Sequence, residues 1–147
     1  MTTRTYVDAL RAAVEAGRDA EMTIVGSSMA PFLIHGRDAV RFRAPDGPLR
    51  PGDILFFRRD SGQYVLHRLR CIAPEGLYLI GDAQTVTEGP IAPDRVFARA
   101  IAVRRKGRWY GPESRLWRFF AGPWLHLIPL RPALIFLTSL PSRSRKD

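Results

Sequence analysis

The chain's most reactive-looking serine is Ser28, within Gly26-Ser27-Ser28-Met29-Ala30-Pro31. It follows Glu21-Met-Thr-Ile-Val, which reads as a strand. A serine at a strand end, in a turn restricted by proline, can present its hydroxyl beside free backbone N–H groups. Those are the requirements for a nucleophile with an oxyanion hole. Ser27 is a further candidate oxyanion donor, and Met29 and Pro31 are candidates to shape or line the cleft. The candidate proton acceptor is His67, in Tyr64-Val65-Leu66-His67-Arg68-Leu69. An imidazole of ordinary pKa, about 6.5, can take a hydroxyl proton at neutral pH. It would give an acidic limb in kcat/KM at about pH 6–7.5. Asp82, in Gly81-Asp82-Ala83, and Glu88 shortly after it are candidate acids to orient the imidazole. Each residue also has a plain use: a turn or cap for Ser28, a hydrogen-bonded strand position for His67, a turn acid for Asp82, a solvated carboxylate for Glu88.

Other reactive types are sparse. His35 reads as a surface turn residue and His126 as an amphipathic tail residue. The three histidines are too dispersed for a metal site, and the single cysteine, Cys71, excludes an internal disulfide or a Cys-rich zinc site. Cys71 alternates into a strand and reads as a small buried residue. No metal or cofactor is implied. The only lysines, Lys106 and Lys146, lie late in the chain.

These residues need elements to hold them. Residues 4–18 carry apolar positions at steps of three and four and end at Gly17, the pattern of an amphipathic helix. From 21 to 111 short apolar runs alternate with Gly, Pro and Asp turns. Strands are expected at 21–25, 38–43, 54–57, 64–72, 77–80 and 96–103, with 108–110 paired to the last, in a small closed or coiled sheet. After Pro112, Ser114 could cap a helix carrying Leu116, Trp117, Phe119 and Phe120. Gly122-Pro123, Pro129 and Pro132 break the pattern before a second short helix at 133–140, and 143–147 reads as a frayed end. Three segments result: an N-terminal amphipathic helix over 1–20, a β domain over 21–111, and a basic, aromatic helical tail over 112–147.

Charge follows the same division. The 147 residues carry net +9, of which residues 104–147 hold +8. A basic tail with interleaved aromatics suits an anionic membrane surface, although the same aromatics could simply cover the sheet. A nucleic-acid partner would explain the tail but not the body, and none is expected. The N-terminus lacks the apolar stretch of a signal peptide. The most apolar segment, 119–142, is interrupted by Arg131 and falls short of the roughly 20 residues of a span. The expected location is cytoplasmic or peripheral at a membrane.

Five motifs in order resemble the signal peptidase superfamily: Gly26-Ser27-Ser28-Met29-Ala30-Pro31, Gly36-Arg37-Asp38, Pro51-Gly52-Asp53-Ile54, His67-Arg68 and Gly81-Asp82-Ala83. The likeness covers about 26–103. It implies a mainly β fold, a coiled antiparallel domain of signal peptidase type, here with an N-terminal helix and a C-terminal helical appendage. It further implies a serine endopeptidase that cleaves a leader or export peptide after small residues. Ser28 matches the family's nucleophile and His67 the general base of the branch found in archaea and the endoplasmic reticulum. The other branch uses lysine, and no lysine precedes position 106. Asp82 and Glu88 fall on acid positions of that branch, either of which could orient His67. Two departures stand out: Gly26 replaces the serine that donates to the oxyanion in the lysine branch, and the soluble-looking helix over 4–18 stands where the family carries a membrane anchor. The rival within proteases, a self-cleaving peptidase of the SOS-repressor type, uses Ser/Lys and fits less well. The rival from another class is a non-catalytic or weakly active β domain that binds peptide or membrane.

Overall fold

The computed structural model describes residues 3–139. Helix α1 (Thr3–Glu15) stops where Gly17 takes a left-handed φ of 85° and its N–H reaches the carbonyl of Val14. Eight strands follow: β1 (Ala20–Thr23), β2 (Ala39–Arg43), β3 (Ile54–Arg58), β4 (Tyr64–Ala73), β5 (Gly76–Ile80), β6 (Glu88–Ile91), β7 (Val96–Arg105) and β8 (Arg108–Tyr110). All pairings are antiparallel, in the order β1-β2-β7-β3-β4-β5-β6 with β8 beside β7. The sheet is therefore mainly β and antiparallel, as expected, but open rather than closed. Strand β6 was not anticipated, because Glu88-Gly-Pro-Ile has the composition of a turn. As a short strand with a proline at the sheet edge it obeys the rules for edge strands.

Strand β3 explains why the sheet is covered on both faces. Ile54 and Phe56 enter one apolar cluster and Leu55 and Phe57 the other, following the strand's period of two. The larger cluster gathers Val7 and Val14 of α1, Phe32, Phe42, Phe56 and Phe97. The smaller holds Leu55, Phe57, Val65, Leu69, Leu77 and Leu79. The alternation in β4 breaks down after Val65–His67: Arg68 and Leu69 are both buried, and Arg70, Cys71 and Ile72 are all exposed. A register shift between Leu69 and Cys71 turns Cys71 outward, so it is exposed rather than buried.

The C-terminal helices are built into the larger cluster. Helix α2 (Arg115–Ala121) starts at Ser114, whose hydroxyl accepts the N–H of Trp117, and a 3-10 stretch (Pro123–Leu130) leads into α3 (Arg131–Ser139). Trp117, Phe120 and Trp124 are buried among the core aromatics, with the Phe120 ring 4.8 Å from that of Phe32. Gly52 marks the close approach: its φ is +99°, and a Cβ there would lie 2.7 Å from the carbonyl oxygen of Ala121. No single helix among the described residues is long and apolar enough to cross a membrane; the pair Arg115–Ala121 and Pro123–Leu137 is apolar but bent by 53°. The expected frayed end at 143–147 lies outside the described residues.

Candidate active site

The turn bearing Ser28 is tied down at both ends. The N–H of Ile24 donates to the carbonyl of Asp38 (2.8 Å), the N–H of Gly36 to the carbonyl of Ile24 (2.9 Å), and the N–H of Gly26 to Nδ1 of His35 (2.8 Å). His35 is exposed, as expected, but it also anchors the loop, a role its sequence position does not reveal. Buried Asp38 closes the same turn by accepting from Arg37 and from the N–H groups of Ile34 and Lys106. Burial alone would raise its pKa; the Arg37 guanidinium and the two backbone donors outweigh that and hold it below the ordinary carboxylate value.

Strand β4 brings His67 to the same place. Ser28 and His67 both line one cavity of about 290 Å³, with Gly26, Met29, Gln63 and Gln84 around them. His67 is 3% exposed, and its ring centroid lies 6.2 Å from that of Phe57 in an edge-on arrangement. Burial pushes its pKa from 6.5 down to about 4; the Glu88 carboxylate opposes this and the Arg59 guanidinium reinforces it. The imidazole is therefore neutral at pH 7, the state a general base requires. Among the described residues no hydrogen bond joins it to Ser28, and its Nδ1 has no partner.

The two candidate acids have other partners. Asp82 is fully buried and accepts from Nε and Nη2 of Arg68, both at 2.8 Å, while Arg68 Nη1 donates to the carbonyl of Gly52. Both its carboxylate oxygens are thus taken by Arg68, and the orienting role expected for it does not match its geometry. The carboxylate of Glu88 is clasped by Nε and Nη2 of Arg59 at 2.8 and 2.6 Å. That pairing lowers its pKa, and its charge acts on His67 across space rather than through a hydrogen bond.

The remaining expectations divide. Met29 lines the cavity and is buried. Ser27 is exposed and lines a neighbouring cleft of about 880 Å³ that also touches Arg59, Gln84 and Glu88, rather than the cavity that Ser28 and His67 share. Pro31 lines neither space; its carbonyl accepts a long bond from Arg105 (3.4 Å), which makes it part of the turn's support. The residues that sequence reasoning missed are Arg59, Gln63 and Gln84, polar surface types until the fold sets them around His67. Among the described residues no group of three or more His, Cys, Asp or Glu side chains is placed to hold a metal ion.

Beside the cavity runs an apolar groove of about 740 Å³, lined by Val7 of α1, Met22 of β1, Val25 after it, Phe56 of β3, and Tyr64 and Leu66 of β4. Met22, Val25, Tyr64 and Leu66 line both spaces, so groove and cavity adjoin. Two strand edges border it. Strand β1 ends the sheet, and β4 pairs with β5 only from Arg68 onward, leaving Tyr64–His67 bonded to β3 alone. Comparison with protein-family models, with curated proteins and with solved structures finds no match for this chain.

Proposed function

We propose that the protein is a serine endopeptidase of signal-peptidase type, with Ser28 as nucleophile and His67 as general base. The observation that carries this reading is the shared cavity: two residues distant in sequence, singled out by their motifs, line one small space that adjoins a groove. An extended peptide entering between β1 and the free half of β4 would add a strand, the geometry of β-augmentation. Its scissile carbonyl would then lie by Ser28.

Ser28 Oγ attacks that carbonyl carbon while His67 takes the hydroxyl proton. Collapse of the tetrahedral intermediate breaks the C–N bond, and His67 returns the proton to the leaving amine. Water, deprotonated by His67, then hydrolyses the acyl-serine and regenerates the hydroxyl. No hydrogen bond engages the N–H of Ser28, so it is free to meet the developing oxyanion, a task that Gly26 cannot perform with a side chain.

The unpartnered Nδ1 of His67 favours a second reading, a peptide-binding domain of the same fold with little or no activity. Cleavage of a leader peptide by wild type, Ser28→Ala and His67→Ala separates the two. The peptidase reading expects each variant to lose nearly all activity and the double variant to be little worse, since the residues act as a unit. Near-normal cleavage by His67→Ala overturns the dyad, and binding without cleavage by wild type supports the second reading.

A further inference from the structure

The loop Gly81–Gln84 stands between the nucleophile and the C-terminal segment. On one side it supports Ser28. The Ala83 N–H donates to the Ser28 carbonyl at 2.9 Å, and Gly81 lies so close that a Cβ there would meet that oxygen at 2.5 Å. On the other side its carbonyls are held from the C-terminal segment. Arg131 Nη1 donates to Gly81 (3.0 Å) and to Gln84 (2.9 Å), and Trp124 Nε1 donates to Asp82 (2.8 Å). Arg131 Nη2 also holds the carbonyl of Trp124 (3.2 Å), and its guanidinium lies 5.3 Å from the Trp124 ring centre. Arg131 is fully buried, its Nε has no partner, and burial lowers its pKa. A buried guanidinium is costly unless its hydrogen bonds are used. Here Nη1 bridges two backbone carbonyls of one loop, Gly81 and Gln84, which fixes that loop's shape, while Nη2 ties the guanidinium to Trp124.

We propose that the C-terminal segment is a latch that sets the nucleophile, with Arg131 and Trp124 as positioning residues that hold the 81–84 loop and, through the Ala83 N–H, the backbone of Ser28. The inference rests on Ser28 being the nucleophile. It adds that the helical appendage belongs to the active site's construction. The coupling is directional: the loop's carbonyls face the appendage, its Ala83 N–H faces Ser28, and the Asp82 side chain is engaged by Arg68.

Two variants of the full chain test it. Trp124→Phe keeps an aromatic ring and removes one donor. Arg131→Lys keeps the charge but loses the fork that spans two carbonyls. Amide exchange is read at Ala83, and at Leu69 of β4, whose N–H bonds to the carbonyl of Asp53 just before β3 and serves as the reference. One ordinary hydrogen bond corresponds to about tenfold in an equilibrium, and small displacements of a reacting group cost up to about 100-fold in rate. The latch therefore expects Ala83 to exchange about tenfold faster with Leu69 unchanged. It expects kcat on a leader peptide to fall about 10–100-fold, KM to stay within about twofold, and the acidic limb set by His67 not to move. Ile72→Thr, at an exposed position of β4 outside the cavity and the loop, should leave all five readouts unchanged. Unchanged Ala83 exchange and kcat in both variants overturns the latch. So does equal loss of protection at Leu69, which would mean general destabilisation. If wild type shows no cleavage at all, the peptidase reading fails, and the Ala83 exchange still decides whether the latch exists.

Discussion

Between pH 6.5 and pH 4 the protein should lose stability through His67. Burial holds the folded-state pKa at about 4, against 6.5 for an ordinary imidazole. The folded state thus disfavours the proton that the unfolded chain accepts. In that window the unfolded state binds more protons, so stability rises with pH. The contribution is complete above about pH 6.5, shrinks as pH falls, and is gone once pH passes below about 4. The gap of 6.5 to about 4, at about 1.4 kcal/mol per pH unit, comes to roughly 3 kcal/mol. Carboxylates such as Asp38 and Glu88, whose pKa values are lowered, add their own loss as pH falls through the acidic end. Their share is removed by comparison with His67→Gln, which lacks the titrating group. Urea unfolding of both proteins at pH 7, 6, 5 and 4 gives the two curves. Wild type should lose about 2 kcal/mol more than the variant between pH 6.5 and 5, the part least affected by carboxylates. The same shift moves the acidic limb of kcat/KM from the pH 6–7.5 of an ordinary histidine toward about 4. Parallel stability curves, or an NMR titration of His67 near 6.5, would refute the burial argument.

Other outcomes follow from the charge pairs and the exposed surface. Asp82→Asn should destabilise the fold by about 3–5 kcal/mol in urea unfolding, because it strands the fully buried guanidinium of Arg68; an unchanged midpoint would contradict its structural assignment. Glu88→Gln should lower the His67 pKa and Arg59→Gln should raise it, because these neighbours act on it with opposite sign; shifts in one direction would disprove the charge assignment. Phe119, Leu130 and Leu137 are exposed, and so are the basic Arg115 and Arg118 on the helix that carries Phe119. The full chain should therefore float with anionic vesicles in low salt, each near-surface cation adding about 1 kcal/mol. Phe119→Ser with Leu137→Ser should weaken this, and binding indifferent to salt and lipid charge would refute it.

The strands were legible because each couples a short apolar run to a turn, as in Ile54–Phe57 between Gly52 and Asp60-Ser-Gly. Helix α2 was legible through Ser114, which caps it. What escaped notice depends on tertiary contact. Strand β6 looks like a turn until Leu77 and Leu79 pair with it. Cys71 faces solvent because of a bulge no local pattern announces. The aromatic tail suited either an interface or a core, and the structure divides it, with Trp117, Phe120 and Trp124 inside and Phe119 outside. At the candidate site, Ser28 and His67 could be named from their motifs, whereas their acids could not be assigned. The partner of a carboxylate is decided by which arginine reaches it: Arg68 takes Asp82 and Arg59 takes Glu88. The roles of His35 and Arg131 could not be read from sequence, since each acts on backbone groups brought near it only by folding.

The central claim is that Ser28 is a nucleophile activated by a neutral His67, and covalent labelling tests it most directly. The full chain is treated with a fluorophosphonate at pH 7 and mapped by mass spectrometry, with Ser28→Ala and His67→Ala alongside. The account expects one adduct, on Ser28, absent from Ser28→Ala and slowed by at least about 100-fold in His67→Ala, the scale of general-base assistance. No adduct on wild type, or an adduct on Ser27 with Ser28 untouched, would contradict it.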